Sequence, residues 1–333
     1  MEAPGLPGTP GPQASRGGAG APHRRGPFDR LLHLGNVVVD VVLTVPALPE
    51  RGGDVLADRS ETSAGGGFNV MTAAARQGLP VTYAGAHGSG PFGDLARAAL
   101  AAEGIEAVQP PKAGLDTGFV VSIADAAGER TFLTSRGAEA RLTAEDLEPV
   151  RAGPRDAVYL SGYGLVHPSN RAALAGWLER LGEDHVVIFD PGPLVRSIPT
   201  GALDRVLDRA GWLTCNAREA TMLTGSPDPT AALALLTGRA GRAGVLVRVG
   251  AEGCLLGRGA SEPQLIAGFR VDVVDTNGAG DTHTGAFLAA LAAGGAAAAA
   301  VRSANAAAAL SVTKRGPATA PTRDELARFL SQT

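Results

Sequence analysis

Val274-Asp275-Thr276-Asn277-Gly278-Ala279-Gly280-Asp281-Thr282 is the stretch that decides how this chain is read. It lies between a strand expected to end near Val274 and a helix expected to start near Gly278. Three small residues in a row, Gly278, Ala279 and Gly280, leave main-chain N–H groups uncovered at a helix N-terminus. There the helix dipole amounts to roughly half a positive charge and favours anions. Asp281 follows at once, in the first turn, where a carboxylate is stabilised as the anion and accepts a proton from an alcohol. An anion cradle beside a base suits phosphoryl transfer, in which positioning and charge stabilisation do most of the catalysis. The same residues also make an ordinary glycine turn with Asp281 as a first-turn cap, and taken bare they leave both readings open.

Outward from this stretch, strand-like and helix-like segments alternate. Residues 31–40 form a β-branched run interrupted by Gly35-Asn36, which suits a buried parallel strand ending at a polar residue. Gly65-Gly66-Gly67 reads as a glycine turn opening a helix that runs to Gln77 and stops at Gly78. Strands are expected at 81–85, 157–160, 186–189, 212–214 and 245–249, and helices at 95–102, 171–181, 203–210, 217–223 and 282–293. Two pieces stand outside the alternation: 41–62, with Pro46, Pro49 and Gly52-Gly53, and a hairpin of 117–123 and 130–134 about a turn at Ala127-Gly128. These read as a lid. Repeated βα units imply an α/β fold with a mostly parallel sheet covered on both faces, and such sheets bind ligands at the carboxyl ends of their strands.

Composition narrows the function classes. The 333 residues are 44% hydrophobic and 19% charged but only 4% aromatic, so packing has to rely on close backbone approach. A formal net charge of -3 gives no electrostatic reason to expect nucleic acid or an anionic membrane as partner. Cys215 and Cys254 lack metal-ligand spacing and offer at most one bridge, which fits a reducing, cytoplasmic setting. The alanine-rich stretch 292–300 is too short and too weakly apolar to span a bilayer. Residues 1–27, dense in Pro and Gly and without an apolar signal region, read as a disordered tail before one domain at 28–333, with the lid at about 41–62 and 116–134.

Asp275-Thr276-Asn277-Gly278-Ala279-Gly280-Asp281 closely resembles the Asp-Thr-x-Gly-Ala-Gly-Asp signature of the ribokinase-like, or pfkB, carbohydrate kinases. The resemblance runs from about His33 to the C-terminus, with further landmarks in order. It implies a three-layer α/β/α sandwich with a small β-lid, ATP and Mg2+ as cofactors, and phosphorylation of a hydroxyl on a small sugar. Asp281 is then the catalytic base, and Gly278, Ala279 and Gly280 form the anion hole for the transferred phosphoryl. Asp40 is implied to bind substrate hydroxyls, as is the loop at 64–69 through Gly65, Gly66 and Asn69, with Ala64 in place of the first glycine of the pattern. Asn216-Ala217-Arg218-Glu219 matches an Asn-x-x-Glu element that organises magnesium and phosphate, with Glu219 acting through water because magnesium dehydrates reluctantly. Arg248, Gly250 and Gly253 lie on the strand and turn that hold the nucleotide, Arg248 standing where such kinases commonly have threonine. Asn305, followed by four alanines, lies where the family lines the adenine, and Asp275 is implied to frame a monovalent-cation site for K+. A homodimer clasped through the exposed edges of the lids is the implied assembly.

Other signals carry less. Gly88-Ser89-Gly90-Pro91-Phe92-Gly93 satisfies a dinucleotide-binding pattern in form only, with Pro91 inside the turn and no acidic strand end about 20 residues on. His283, where the resembling kinases have Phe, reads as packing or lining the site, and His33, His167 and His185 are scattered. Asp190 follows a strand end and either places magnesium or phosphate or serves as a turn carboxylate; Arg130 reaches the substrate or is a solvated hairpin charge. Val38 and Gly66 occupy positions where ribokinases carry Asn and Lys, which argues against ribose itself. Lys112 is the only lysine before Lys314, so an unphosphorylated sugar is favoured. A nucleoside kinase, with Phe68 or Phe119 stacking on a base, and a non-catalytic sugar sensor on the same fold remain the alternatives.

Overall fold

The computed structural model describes residue 1, residues 25–126 and residues 129–333, with Arg130 described by its backbone alone. Most of the expected tail, the Ala127-Gly128 turn and the role considered for the Arg130 side chain therefore lie outside the described residues. Thirteen strands follow in chain order: β1 Arg30–His33, β2 Val37–Thr44, β3 Arg59–Gly66, β4 Val81–Tyr83, β5 Glu106–Ala107, β6 Phe119–Ala124, β7 Arg130–Ser135, β8 Asp156–Ser161, β9 Val186–Asp190, β10 Trp212–Asn216, β11 Gly244–Arg248, β12 Gly253–Gly257 and β13 Gln264–Ala267. The helices are α1 Gly67–Arg76, α2 Pro91–Ala102, α3 Ala144–Leu147, α4 Gly162–Val166, α5 Pro168–Glu179, α6 Thr200–Arg209, α7 Ala217–Thr224, α8 Pro229–Arg239, α9 Ala279–Ala292, α10 Ala297–Val312 and α11 Arg323–Ser331.

The main sheet runs β13-β12-β11-β10-β9-β8-β1-β4-β5. Its pairs are parallel up to β11, after which β12 and β13 extend it antiparallel. Successive side chains on a strand point to opposite faces. On β8, Ala157 and Tyr159 enter one core and Val158 and Leu160 the other; on β11, Leu246 and the pair Val245 and Val247 divide the same way. Both faces are therefore covered, which is why these strands read as unbroken apolar runs. One face carries α1, α9 and α10 with Met71, Phe287 and Val301; the other carries α5, α6 and α8 with Trp177, Leu207 and Leu233. This is the expected three-layer α/β/α sandwich. Small residues set the helix spacing: a Cβ added at Gly285 of α9 would lie 2.4 Å from the Val70 carbonyl oxygen of α1.

The run at 31–40 is not one strand. It breaks at Gly35-Asn36 into β1, inside the main sheet, and β2, which leaves it for a second sheet ordered β3-β2-β6-β7. The break is held by a buried histidine: His33 stacks on Tyr159 at 4.6 Å, its Nδ1 accepts the Gly35 N–H, and a Cβ at Gly35 would meet its ring at 2.6 Å. Asn36 then accepts the Gly67 N–H at 2.8 Å, tying the departure of the chain to the start of α1. The second sheet is the lid, and it takes in residues on either side of the expected bounds, from Val37 to Gly66 and on to Ser135. Asp40 consequently sits in the middle of a lid strand instead of at the end of a core strand.

The strand expected to end near Val274 does not form; Val274 and Asp275 instead donate their N–H groups to the Val312 carbonyl at the end of α10. No described helix is long and apolar enough to cross a membrane.

Candidate active site

The carboxyl ends of β9, β10 and β11, the first turn of α9 and the lid strand β2 bring their polar residues together. Gly278, at φ 72°, is the N-cap of α9, a left-handed conformation that glycine adopts without penalty. No side chain caps this helix, and the N–H groups of Gly280 and Asp281 find no partner among the described residues. The cradle is thus open. The other glycine loop behaves differently: the N–H groups of Phe92 and Gly93, at the start of α2, donate to the Asp116 carboxylate at 3.1 and 2.8 Å. That helix end is filled from within, which removes the dinucleotide reading of residues 88–93.

Asp281 faces the same space. Asn69, on α1 and 4% exposed, donates from Nδ2 to Asp281 Oδ2 at 3.1 Å, while its own buried Oδ1 has no partner among the described residues. Burial first and the nearby Asp190 second push the Asp281 carboxyl up to about 7, against the opposing pull of Asn69 and Arg248. Such a group is poised to exchange a proton near neutral pH. Asp40 is pushed up to about 6 by burial alone. Its carboxylate lies over Gly65 so closely that a Cβ there would be 2.1 Å from Oδ2.

Asn216 and Glu219 cap α7 reciprocally, Asn216 Oδ1 accepting the Glu219 N–H and Glu219 Oε2 accepting the Asn216 N–H, each at 2.8 Å. The pattern is therefore first of all a helix start. It leaves Glu219 buried beside Asp190 and Arg248, and burial, then Asp190, raises its carboxyl. Arg248 ends β11 directly opposite Asn216. Its Nη2 donates to Asp190 Oδ2 at 3.3 Å and lies 3.8 Å from Glu219 Oε2. Beyond it opens a cleft of about 630 Å3 lined by Asn216, Arg248, Gly250, Glu252 and Leu265 among others, a volume suited to a nucleotide. Gly253, at φ 116°, starts β12, and a Cβ there would strike the Ile266 carbonyl oxygen at 2.2 Å.

Two expected residues sit apart from this space. Asn305 is 6% exposed; its Nδ2 donates to the Ile266 and Ala267 carbonyls of β13 and its Oδ1 meets His283 Nε2 at 3.1 Å, so its amide is engaged inside the protein. Asp275 accepts the N–H groups of Asn277 and Gly316, fixing the loop before α9. His283 packs, as read from the sequence, and burial holds it down to about 3. Phe68 is buried in the core, whereas Phe119 meets Phe92 at 5.3 Å beneath the lid.

Sequence reasoning missed Tyr163, just past the end of β8. Its ring neighbours Gly192, and its phenol is pushed up to about 12 by burial and by the charges of Asp281, Asp190, Glu219 and Asp40 in that order. No local signal marks a tyrosine two residues beyond a strand; only the assembled fold puts it within reach of all four carboxylates. Magnesium asks for oxygen donors and keeps much of its water. No described group of three His, Cys, Asp or Glu residues is arranged to grip a metal. Four carboxylates against one guanidinium nevertheless leave negative charge in excess, and this fits a hydrated cation held through water by Glu219 and Asp190.

The chain is similar to known proteins along most of its length. A profile described as pfkB family carbohydrate kinase matches residues 29–324. The chain is 33% identical over 299 residues to the sugar kinase YegV of Escherichia coli, covering 88% of this chain and 91% of that one. It is 32% identical over 314 residues to an ATP-dependent ribose-1-phosphate kinase of Halopiger xanaduensis, covering 91% and 98%. A solved ribokinase of Thermotoga maritima superposes with a TM-score of 0.80 at 26% identity, over 91% of this chain and all of the other.

Proposed function

The chain belongs to the pfkB family of carbohydrate kinases, and from that premise we propose that it moves the γ-phosphoryl group of ATP to a hydroxyl of an unphosphorylated sugar, with Asp281 as the base. At the coarser level it is a sugar or nucleoside kinase, a phosphotransferase with an alcohol acceptor. The observation that carries the finer reading is the uncapped first turn of α9 beside a carboxyl poised near 7.

In the proposed reaction the acceptor lies under the lid, its hydroxyls met by Asp40 and Asn69. The attacking hydroxyl gives its proton to Asp281 as its oxygen forms a bond to the γ-phosphorus. The bond from that phosphorus to the bridging oxygen breaks, and ADP leaves with the electron pair. Of the glycine-rich turn Gly278-Ala279-Gly280, Ala279 spends its N–H on the Thr276 carbonyl at 3.3 Å, and the free N–H groups of Gly280 and Asp281 stabilise the charge on the group in flight. Asn216, Arg248, Gly250 and Gly253 hold the nucleotide in the adjoining cleft. Magnesium, when bound with the nucleotide, neutralises phosphate charge, with Glu219 and Asp190 as its water-mediated holders. Asp275 is the candidate for framing a monovalent cation such as K+. Closure of the lid excludes water as a competing acceptor.

Two features support an unphosphorylated acceptor. Lys112 is paired with Asp146, and Arg59 with Glu61, so these cations are already matched. A nucleoside acceptor is the second reading, but Phe119 is level with Val39 and so lies on the face of the lid opposite Asp40, where its contact with Phe92 lends that reading no support. On the outer strand β7, Phe132 and Leu133 are exposed, and Leu56 is 84% exposed, which supports pairing of two copies through their lids.

A panel of sugars and nucleosides, each with magnesium-ATP, with and without potassium, tests the proposal through ADP release. Release with one sugar supports it, release with nucleosides alone shifts the substrate class, and silence across the panel overturns it.

A further inference from the structure

Arg248 is 13% exposed at the side chain, a depth at which a guanidinium is retained only when its charge is matched and its N–H groups are met. Nη1 donates to Thr214 Oγ1 at 2.5 Å and to Thr284 Oγ1 at 3.2 Å, and Nη2 donates to Asp190 Oδ2 with Glu219 Oε2 3.8 Å away. Thr284 in turn donates to the Gly280 carbonyl at 3.0 Å, so the guanidinium is braced against the first turn of α9 itself. Two N–H groups are left over: the second on Nη2, which faces Glu219 from beyond hydrogen-bond distance, and that on Nε. Nε makes no hydrogen bond among the described residues, and a Cβ added at Gly280 would come within 3.4 Å of it. The free N–H and its charge therefore adjoin the open cradle, at the wall of the cleft of about 630 Å3.

We propose that Arg248 is a resident cation of the phosphate channel: its Nε–H contacts the polyphosphate of a nucleoside triphosphate directly and lets the protein bind that nucleotide without a divalent metal. The inference rests on the kinase reading and goes beyond it. Asp190, Glu219, Asp281 and Asp40 would otherwise confront an incoming polyanion with like charge alone. With the guanidinium fixed between Asp190 and Glu219, its single positive charge offsets one of those two negative charges before the nucleotide arrives, and the rigid fork loses little freedom on making one further bond. A metal ion brought with the nucleotide supplies part of the same charge, so the contact matters most when no metal is present.

The test is calorimetric titration of ATP, in EDTA and in magnesium, into the wild type, Arg248→Gln and Arg248→Lys, with thermal unfolding recorded for each. The wild type is expected to bind ATP in EDTA. Arg248→Gln is expected to lose roughly 10- to 100-fold of that metal-free affinity, the scale of one charge-assisted hydrogen bond, and much less in magnesium. Arg248→Lys, which keeps the charge and loses the fork, should fall between them and serves if the glutamine variant does not fold. A wild type that turns over with magnesium-ATP but binds no ATP in EDTA overturns the inference while leaving the kinase reading intact. Equal losses in EDTA and magnesium overturn it as well. A wild type that ignores ATP under both conditions and releases no ADP removes the kinase reading instead.

Discussion

Asn69 and Asp281 stand 212 positions apart in the chain and share one hydrogen bond of 3.1 Å, Nδ2 donating to Oδ2. The bond joins the first turn of α1, which enters from the lid, to the first turn of α9, where the open cradle lies. It orients the carboxylate and favours its ionised form, while burial and Asp190 favour the protonated one.

Replacing Asp281 by Asn keeps this contact and removes the base. The expected result is a fall in kcat of at least ~10²-fold, with ATP affinity changed only a few-fold. Steady-state ADP release and a nucleotide titration measure the two, and near-normal turnover would remove the role assigned to Asp281.

The pH profile follows from the same carboxyl. Only the ionised form accepts a proton, so kcat/KM for the acceptor should rise with pH through about 7 and level off above it. Asn69→Leu deletes a donor that stabilises the anion, so the limb should move to higher pH. A limb that stays in place, or shifts toward acid, counts against the coupling of these two residues.

Gly65→Ala probes the sugar side. The new methyl would sit 2.1 Å from Asp40 Oδ2, so the carboxylate must turn away. A tenfold or larger rise in KM for the acceptor is the expected outcome, roughly the effect of losing a hydrogen bond to a charged group. Unchanged ATP affinity and an unchanged far-ultraviolet circular dichroism spectrum would show that the effect is local.

Asn305→Ala separates an adenine contact from a structural one. It removes one donor from the part-buried Ile266 and Ala267 carbonyls and leaves the buried His283 without its partner, at a cost of about 1–3 kcal/mol for a buried group left unsatisfied. Denaturant unfolding should register that loss, with ATP affinity falling only modestly. The opposite pattern, intact stability with a large drop in affinity, would return Asn305 to the nucleotide wall.

Sequence carried the parts of this protein that depend on local physics. Unbroken apolar runs such as Val245-Leu246-Val247 announced strands buried on both faces, because a two-sided core demands apolar residues at every position. The small residues of 278–280 announced an uncovered helix start, and α9 begins there with no side-chain cap. Gly253–Gly257 and Gln264–Ala267 gave no comparable sign: they are short antiparallel strands, the first paired between β11 and β13 and the second at the edge of the sheet.

Tertiary structure decided what local pattern leaves degenerate. Val37-Val38-Val39 is as apolar as Leu31-Leu32, yet the turn at Gly35-Asn36, packed against the ring of His33, sends it into a different sheet and puts Asp40 in the lid. Asn69 and Asn305 are both buried amides on helices rich in small residues; one meets Asp281 and the other meets the backbone of β13. Arg248, Asp190, Glu219, Thr214 and Thr284 converge although they lie on five separate elements. Hydrogen bonds and charge pairing act over a few ångströms in space, whereas a sequence orders residues only along the chain, so it named most of the groups in the cleft and the fold chose which of them face one another.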